Sequence, residues 1–328
     1  MTQAERSLAV KLPWQMAQWQ RLDDMLTDGK LPHALLLSGP TGIGKKRFAL
    51  SLAHYLMCSQ PSASMPCGEC RQCGLNKAGT HPDLVVIEPE EKGRQIKIDQ
   101  VRGLVEFLGH TSQQGGYKVT VVVPAEAMNI NAANALLKSL EEPTANTLLL
   151  LLTDSPSQLL PTIRSRCQTM AFPVPPKAEA LKWLATVLPS SQQAEALLDE
   201  VGGQPMSALE LVESDGLTHR QQMKSDFISM VSGQVSALSV AEKWLDYDVY
   251  ESIGWLNRRL SEFISYRMGN TPLAADWQAV VSKANVPGLF GLLDKVSQLH
   301  NSLVRGANPN KQLTLEDLLL EICDKFHN

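Results

Sequence analysis

Eight residues, Gly39-Pro40-Thr41-Gly42-Ile43-Gly44-Lys45-Lys46, constrain the fold of this chain more than any other stretch. Glycines at this spacing let a loop wrap an anion with its backbone N–H groups, and the lysine that follows brings an ammonium to the same place. The flanks agree. Residues 33–38 read as a short buried strand, and residues 47–56 carry apolar side chains at helical spacing. Strand, glycine loop and helix in that order open a doubly wound α/β sheet, with the loop at the carboxyl end of its strand. A glycine-rich turn without any ligand would make the same connection. The complete phosphate-binding pattern ends in Ser or Thr, whose hydroxyl ligates magnesium. Lys46 stands at that position and cannot ligate a cation.

The chain continues in the same alternation. Residues 84–87 predict a buried strand, and Asp99 predicts the N-cap of a helix presenting Val101, Leu104, Val105 and Leu108. A Gly115-Gly116 turn leads into residues 117–123, apolar enough for a central parallel strand. A helix over 131–142, stopped by Pro143, precedes a strand over 148–152 that ends at Thr153-Asp154. A P-loop hydrolase needs an acidic residue for magnesium at the end of the strand that closes here on Val123, and often a glutamate after it for the water. Val123 and Pro124 occupy both places, and Glu126 lies three residues beyond the metal position. Hydrolysis at this chain's own loop is therefore not expected.

Four of the six cysteines, Cys58, Cys67, Cys70 and Cys73, fall within sixteen residues. C-x-x-C lets two sulfurs grip one ion, and Cys70 belongs to two overlapping copies of it. Four thiolates leave no open position for water, which predicts a closed, structural zinc site. An iron–sulfur cluster fits the same four ligands, and so do reduced cysteines on a loop. Residues 58–73 interrupt the mononucleotide fold between its first helix and its next strand, so they form an insertion.

Length and charge bound the rest. At 328 residues the chain calls for two or three domains. With 30 Lys and Arg against 34 Asp and Glu, the formal charge is −4, so no overall basic field steers it to nucleic acid. No run reaches the roughly 18 apolar residues of a spanning helix, and residues 1–6 lack the apolar core of a secretion signal. A cytoplasmic location is expected, and there thiols and metal ligands prevail over disulfides.

The string Asn134-Ala135-Leu136-Leu137-Lys138-Ser139-Leu140-Glu141-Glu142-Pro143, then Thr153-Asp154, then Ile163-Arg164-Ser165-Arg166-Cys167, resembles the clamp-loader branch of the AAA+ ATPases, as found in bacterial DNA polymerase III. The likeness covers about the first 210 residues. It implies an AAA+ domain over 1–172 with a zinc insertion, a small helical lid over 173–213 after the Pro173-Val174-Pro175-Pro176 linker, and a helical collar domain over 214–328. It also implies that Arg166 is an arginine finger reaching a neighbouring subunit's ATP site, with Arg164 beside it. Thr153 falls where the branch senses the terminal phosphate, although a threonine there also suits a strand end. Active motors carry a nucleotide-sensing arginine where this chain has Met206, and a thioether cannot pair with phosphate.

The resemblance thus implies a member without catalysis of its own, working in a hetero-oligomer with motor subunits of the gamma or tau type and a delta subunit. Through them it would serve the sliding clamp and primer-template DNA. The loop itself, Gly39 to Lys46, could still hold ATP or ADP. Two rivals stand beside this reading: an autonomous ATPase relying on Lys45, and a zinc-dependent nucleic-acid-binding module.

Residues 214–328 carry no chemical motif. Trp255, Leu256, Leu260, Phe263 and Ile264, and Leu289, Leu292, Leu293, Val296, Leu299 and Leu303, recur at helical spacing and predict core-facing stripes. Arg258 and Arg259 on the first stripe predict a solvated pair. Thr314 with Asp317 suggests a capping box opening a last helix.

Overall fold

An uninterrupted run such as Leu148 to Leu152 has no polar face to offer water, so it must lie inside a sheet covered on both sides. The structure, a computed structural model, describes residues 11–91, 93–188, 193–214, 216–269, 273–282, 284–304 and 306–327. Residues 1–6, read above for a secretion signal, lie outside that set. The chain divides into two compact units, Met1–Glu213 and Ser214–Asn328.

The first unit is built on five parallel strands: β1 (Ala34–Ser38), β2 (Leu84–Ile87), β3 (Lys118–Val122), β4 (Thr147–Thr153) and β5 (Gln168–Ala171). Their order across the sheet is β2-β3-β4-β1-β5. The central strands β3, β4 and β1 are buried almost throughout, whereas β5 at the edge buries only Met170. Period-two alternation divides the apolar runs between two cores. Leu35, Leu37, Val119, Val121, Leu148, Leu150 and Leu152 join Trp19 of α1 (Met16–Thr27) and Phe48 of α2 (Lys45–Met57). Leu36, Val122, Leu149 and Leu151 face the opposite layer, with Leu104 and Leu108 of α4 (Ile98–Gly109) and Leu136 and Leu140 of α5 (Ile130–Glu141). Trp19 and Phe48 lie 4.7 Å apart between ring centroids, and Phe172 meets Phe48 edge-on at 4.9 Å.

Between α2 and β2 stands the short helix α3 (Arg71–Ala78) of the insertion. After β4 come α6 (Pro161–Arg164) and β5, then a helical trio α7 (Lys177–Val187), α8 (Ala194–Glu200) and α9 (Pro205–Glu213). Asp99 does not cap α4. The cap is Lys97, whose backbone N–H donates to Gln100 at 2.9 Å, and Asp99 falls within the first turn, where its charge still meets the positive end of the helix.

The second unit is helical: α10 (Gly216–Val231), α11 (Ala237–Trp244), α12 (Val249–Arg267), α13 (Ala275–Val281), α14 (Val286–Val304) and α15 (Lys311–His327). Phe227 sits among Trp255, Phe263, Trp277 and Phe326, with centroid distances of 5.8–6.1 Å. The last helix begins before Thr314, because Asn310 accepts the Leu313 N–H at 3.0 Å and so caps it four residues ahead of Thr314. Arg259 is not solvated. Only 4% exposed, it lies 5.9 Å from the Trp255 ring and 5.8 Å from Trp277 and pairs with Glu262 at 2.9 Å. Trp255 and Glu262 stand four residues before and three after it on one face of α12, and Trp277 comes from α13, an arrangement of charge and aromatics that lets a guanidinium be buried.

His54, in the last turn of α2, is 1% exposed and neither ring nitrogen has a protein partner among the described residues. Burial, with a contribution from His81, lowers its pKa from 6.5 to about 4. The unfolded chain therefore binds a proton near pH 6.5 that the folded chain refuses until about pH 4, so stability is full above pH 6.5 and falls as pH drops towards 4. Between pH 7.5 and pH 5 the expected loss from this group is about 2 kcal/mol. Urea unfolding of the chain and of His54→Leu at the two pH values measures it. The variant should lose less by that amount; parallel losses would mean that burial does not keep this imidazole neutral.

Candidate functional site

The loop from Gly39 to Gly44 leaves β1 at its carboxyl end and enters α2 at Lys45, as the glycine spacing requires. Gly42 (φ +68°) and Gly44 (φ +90°) lie in the left-handed region, where a side chain is strained. Neither has room for one. A Cβ at Gly42 would overlap the Ser207 hydroxyl, and one at Gly44 would overlap Leu12. The loop carbonyls are taken: Gly42 O accepts the Met206 N–H at 2.9 Å, while Ile43 O accepts Trp14 Nε1 at 2.9 Å and Gln15 Nε2 at 3.1 Å. Trp14 in turn meets Trp183 of α7 edge-on at 5.3 Å. Thus the start of α9 and the segment before α1 both close upon the loop.

Lys45, only 6% exposed, turns back into the loop. Its Nζ donates to Gly39 O at 2.5 Å, Pro40 O at 2.6 Å and Asp154 Oδ1 at 2.6 Å. Thr41 Oγ1 donates to the other oxygen of Asp154 at 2.6 Å. Lys46 reaches the end of β2 and bonds both carboxylate oxygens of Glu88 at 2.9 Å. Where the phosphate pattern wants a hydroxyl for magnesium, this chain carries an ammonium with its own counter-ion.

Beyond Val123-Pro124, Glu126 does not supply the absent acid. Its Oε1 accepts the backbone N–H groups of Asp154 at 2.8 Å and Ser155 at 3.2 Å, so it holds the turn after β4. Burial, with the Asp154 charge adding to it, keeps this carboxyl above its ordinary pKa. Thr153 is fully buried, and its hydroxyl accepts the Ser155 N–H at 3.1 Å. Magnesium does not fit the residues present, and a polyphosphate would have to displace Asp154 from Lys45.

Arg166 follows α6 and is one-third exposed. Its guanidinium is held by Glu141 Oε1 at 2.5 Å and by Thr162 O at 3.0 Å. Glu141 ends α5, within the Asn134–Pro143 string, so that string and the arginine segment meet in space. Arg164 is exposed and its side chain has no partner among the described residues.

The cysteine sulfurs all lie within 4.8 Å of one another. Cys58 to Cys70 and Cys67 to Cys73 are 3.9 Å apart, and Cys58 to Cys73 is 3.7 Å. A tetrahedron of Zn–S bonds near 2.3 Å has edges of about 3.8 Å, so the set fits a metal such as zinc. Cys58 comes from the C-cap of α2 and Cys70 from the N-cap of α3. Backbone N–H groups of Cys67 and Cys70 point at the sulfurs of Cys58 and Cys67 at 3.2 and 3.4 Å, as suits thiolate ligands. Cys167, half-buried and apart from them, has its thiol pushed up to about 12 by burial.

The sequence pointed to the loop, to Arg166 and to the four cysteines that the structure brings together, but not to the partners that answer the charged residues. Asp154 and Glu88 each follow a strand by one residue, a position that brings them to the carboxyl edge of the sheet, and this was the available signal. No described helix is long and apolar enough to cross a membrane.

A family model described as DNA polymerase III, delta subunit, matches residues 14–176, and one described as DNA polymerase III, delta subunit, C terminal, matches residues 214–324. The chain is 40% identical over 318 residues to DNA polymerase III subunit delta' of Pseudomonas aeruginosa, covering 94% of this chain and 96% of that protein. It is 33% identical over 326 residues to the Escherichia coli subunit delta', covering 94% of each. A crystal structure of a DNA polymerase III, gamma subunit-related protein from Thermotoga maritima shares the fold at a TM-score of 0.52 and 21% identity, over 95% of this chain and 99% of that one.

Proposed function

We propose that this chain, which belongs to the delta' subunit family of DNA polymerase III, acts in a clamp loader as a member without catalysis of its own that completes a neighbour's ATP site with Arg166. One contrast carries the reading. The parts that would work on a nucleotide in cis are engaged elsewhere, Lys45 with Asp154 and Lys46 with Glu88, while Arg166 stands partly exposed. A guanidinium anchored through two of its nitrogens is held in plane with further N–H groups left to donate. That is the form in which an arginine stabilises charge on a phosphoryl group in transfer.

Its partners on this reading are gamma- or tau-type motor subunits and a delta subunit, and the assembly opens a sliding clamp and sets it on primed DNA. The domain over residues 1–172 supplies the arginine, the lid over 173–213 closes on the loop, and the region over 214–328 acts as a collar. Cys58, Cys67, Cys70 and Cys73 hold zinc as a structural ion that folds the insertion. Thr153 serves the strand end rather than a phosphate. The test is reconstitution with those subunits and comparison of ATP turnover between the chain and Arg166→Ala; unchanged turnover in an assembled complex ends the reading.

A further inference from the structure

We infer that Asp154 is a built-in occupant of the phosphate loop: its carboxylate takes the place of a ligand anion at Lys45 and Thr41, so that nucleotide is kept off by competition rather than by loss of the loop's shape. The inference goes beyond the role given to Arg166 and stands independently of it.

Four observations converge on the carboxylate. Both of its oxygens are engaged, one by the Lys45 ammonium and one by the Thr41 hydroxyl, each at 2.6 Å. An ammonium has three hydrogens. With Gly39 O and Pro40 O as its other acceptors, Lys45 has none left over for a phosphate oxygen. The turn that carries Asp154 is itself fixed, because Glu126 accepts the N–H groups of Asp154 and Ser155, and Thr153 accepts that of Ser155 as well. Finally, β1 and β4 run side by side with Ser38 opposite Thr153, and Gly39 N–H donates to Thr153 O at 3.2 Å. Register alone therefore sets the first residue after β4 beside the first residues of the loop.

The loop retains what anion binding asks of its backbone: glycines at 39, 42 and 44 and the entry into α2. An intramolecular carboxylate on a fixed turn has an effective concentration that a freely diffusing ligand does not reach. A polyphosphate must therefore displace Asp154 and then lie against its negative charge. Removing that charge relieves both obstacles. Magnesium is not expected to help the incoming anion, since Lys46, paired with Glu88, stands where the pattern has a hydroxyl to ligate it.

The test is titration calorimetry of the full chain with ATP, with and without magnesium. Asp154→Asn preserves size and removes the charge; it is expected to bind ATP at least tenfold more tightly than the parent, to the same extent in both buffers. The gain should vanish in the double variant Lys45→Ala with Asp154→Asn. Thr41→Val removes one of the two holds without touching the ion pair and should give a smaller gain, which tests the same idea if the first variant folds poorly. Near-ultraviolet circular dichroism reports on folding. Affinities of folded Asp154→Asn and Thr41→Val equal to the parent's would overturn the inference, and so would a gain that survives loss of Lys45.

Discussion

Arg166→Ala is expected to lower ATP turnover at the motor site facing this chain by about 10³–10⁵-fold, the range for an arginine supplied in trans to a P-loop enzyme. The loss is chemical. On the proposed reading the guanidinium neutralises charge that develops on the transferring phosphoryl group, so removing it would raise the barrier without changing how nucleotide is bound at the start. Folding should be indifferent to the change. The Arg166–Glu141 pair is one-third and one-half exposed at its two ends, and a pair so placed contributes under about 1 kcal/mol. Arg166→Lys keeps the charge but loses the planar fork, and only partial recovery is expected from it. Single-turnover hydrolysis in the reconstituted complex reads the effect, with size-exclusion chromatography showing that the complex has assembled. Turnover that stays at the parent value in an intact complex would count decisively against the assignment.

Cys73→Ser is expected to destabilise the Met1–Glu213 unit by about 3–5 kcal/mol, or roughly 10–15 °C in its thermal transition. Cys73 is fully buried, and without a cation burial pushes its thiol up to about 12. Sulfurs 3.7–3.9 Å apart do not hold several negative charges in a buried place unless a cation is shared among them. Binding the metal and folding the insertion are then one equilibrium, because the unfolded segment holds no preformed site. The Ser214–Asn328 unit has a core of its own and none of its described residues joins the cysteine cluster, so its transition should remain in place. Elemental analysis should find one zinc per chain, and chelation should reproduce the effect of the substitution. A chain that holds no metal, or that melts at the same temperature with and without a chelator, would exclude a structural ion.

Much of the first unit is legible from local pattern. The runs of residues 84–87, 117–123 and 148–152 became strands within one residue of those limits, because such runs of apolar and β-branched residues pack well on a covered sheet, although residues 84–87, read as buried, form an edge strand of intermediate burial. Cys58, Cys67, Cys70 and Cys73 converge as their spacing requires, for two C-x-x-C turns bring their own sulfurs together. Helix ends were less readable. Asp99 and Thr314 are both good capping types, yet Lys97 and Asn310 begin those helices, since several neighbouring residues satisfy the same local rule and packing selects among them.

The charges of the site were the least legible. Lys45 and Lys46 are adjacent in sequence, but their partners are 109 and 42 residues away, at the ends of two different strands. Arg259 reads as a surface residue and proves buried between two tryptophans. By itself the sequence determined the order of elements, the loop with its faulty magnesium position and the cluster of four cysteines, because each depends on backbone angles, apolar period or short-range spacing. Which acid answers each lysine was decided only by the tertiary structure. That choice follows from the parallel register of β1 against β4 and from the order of strands across the sheet, properties of the whole sheet that no local stretch of sequence contains.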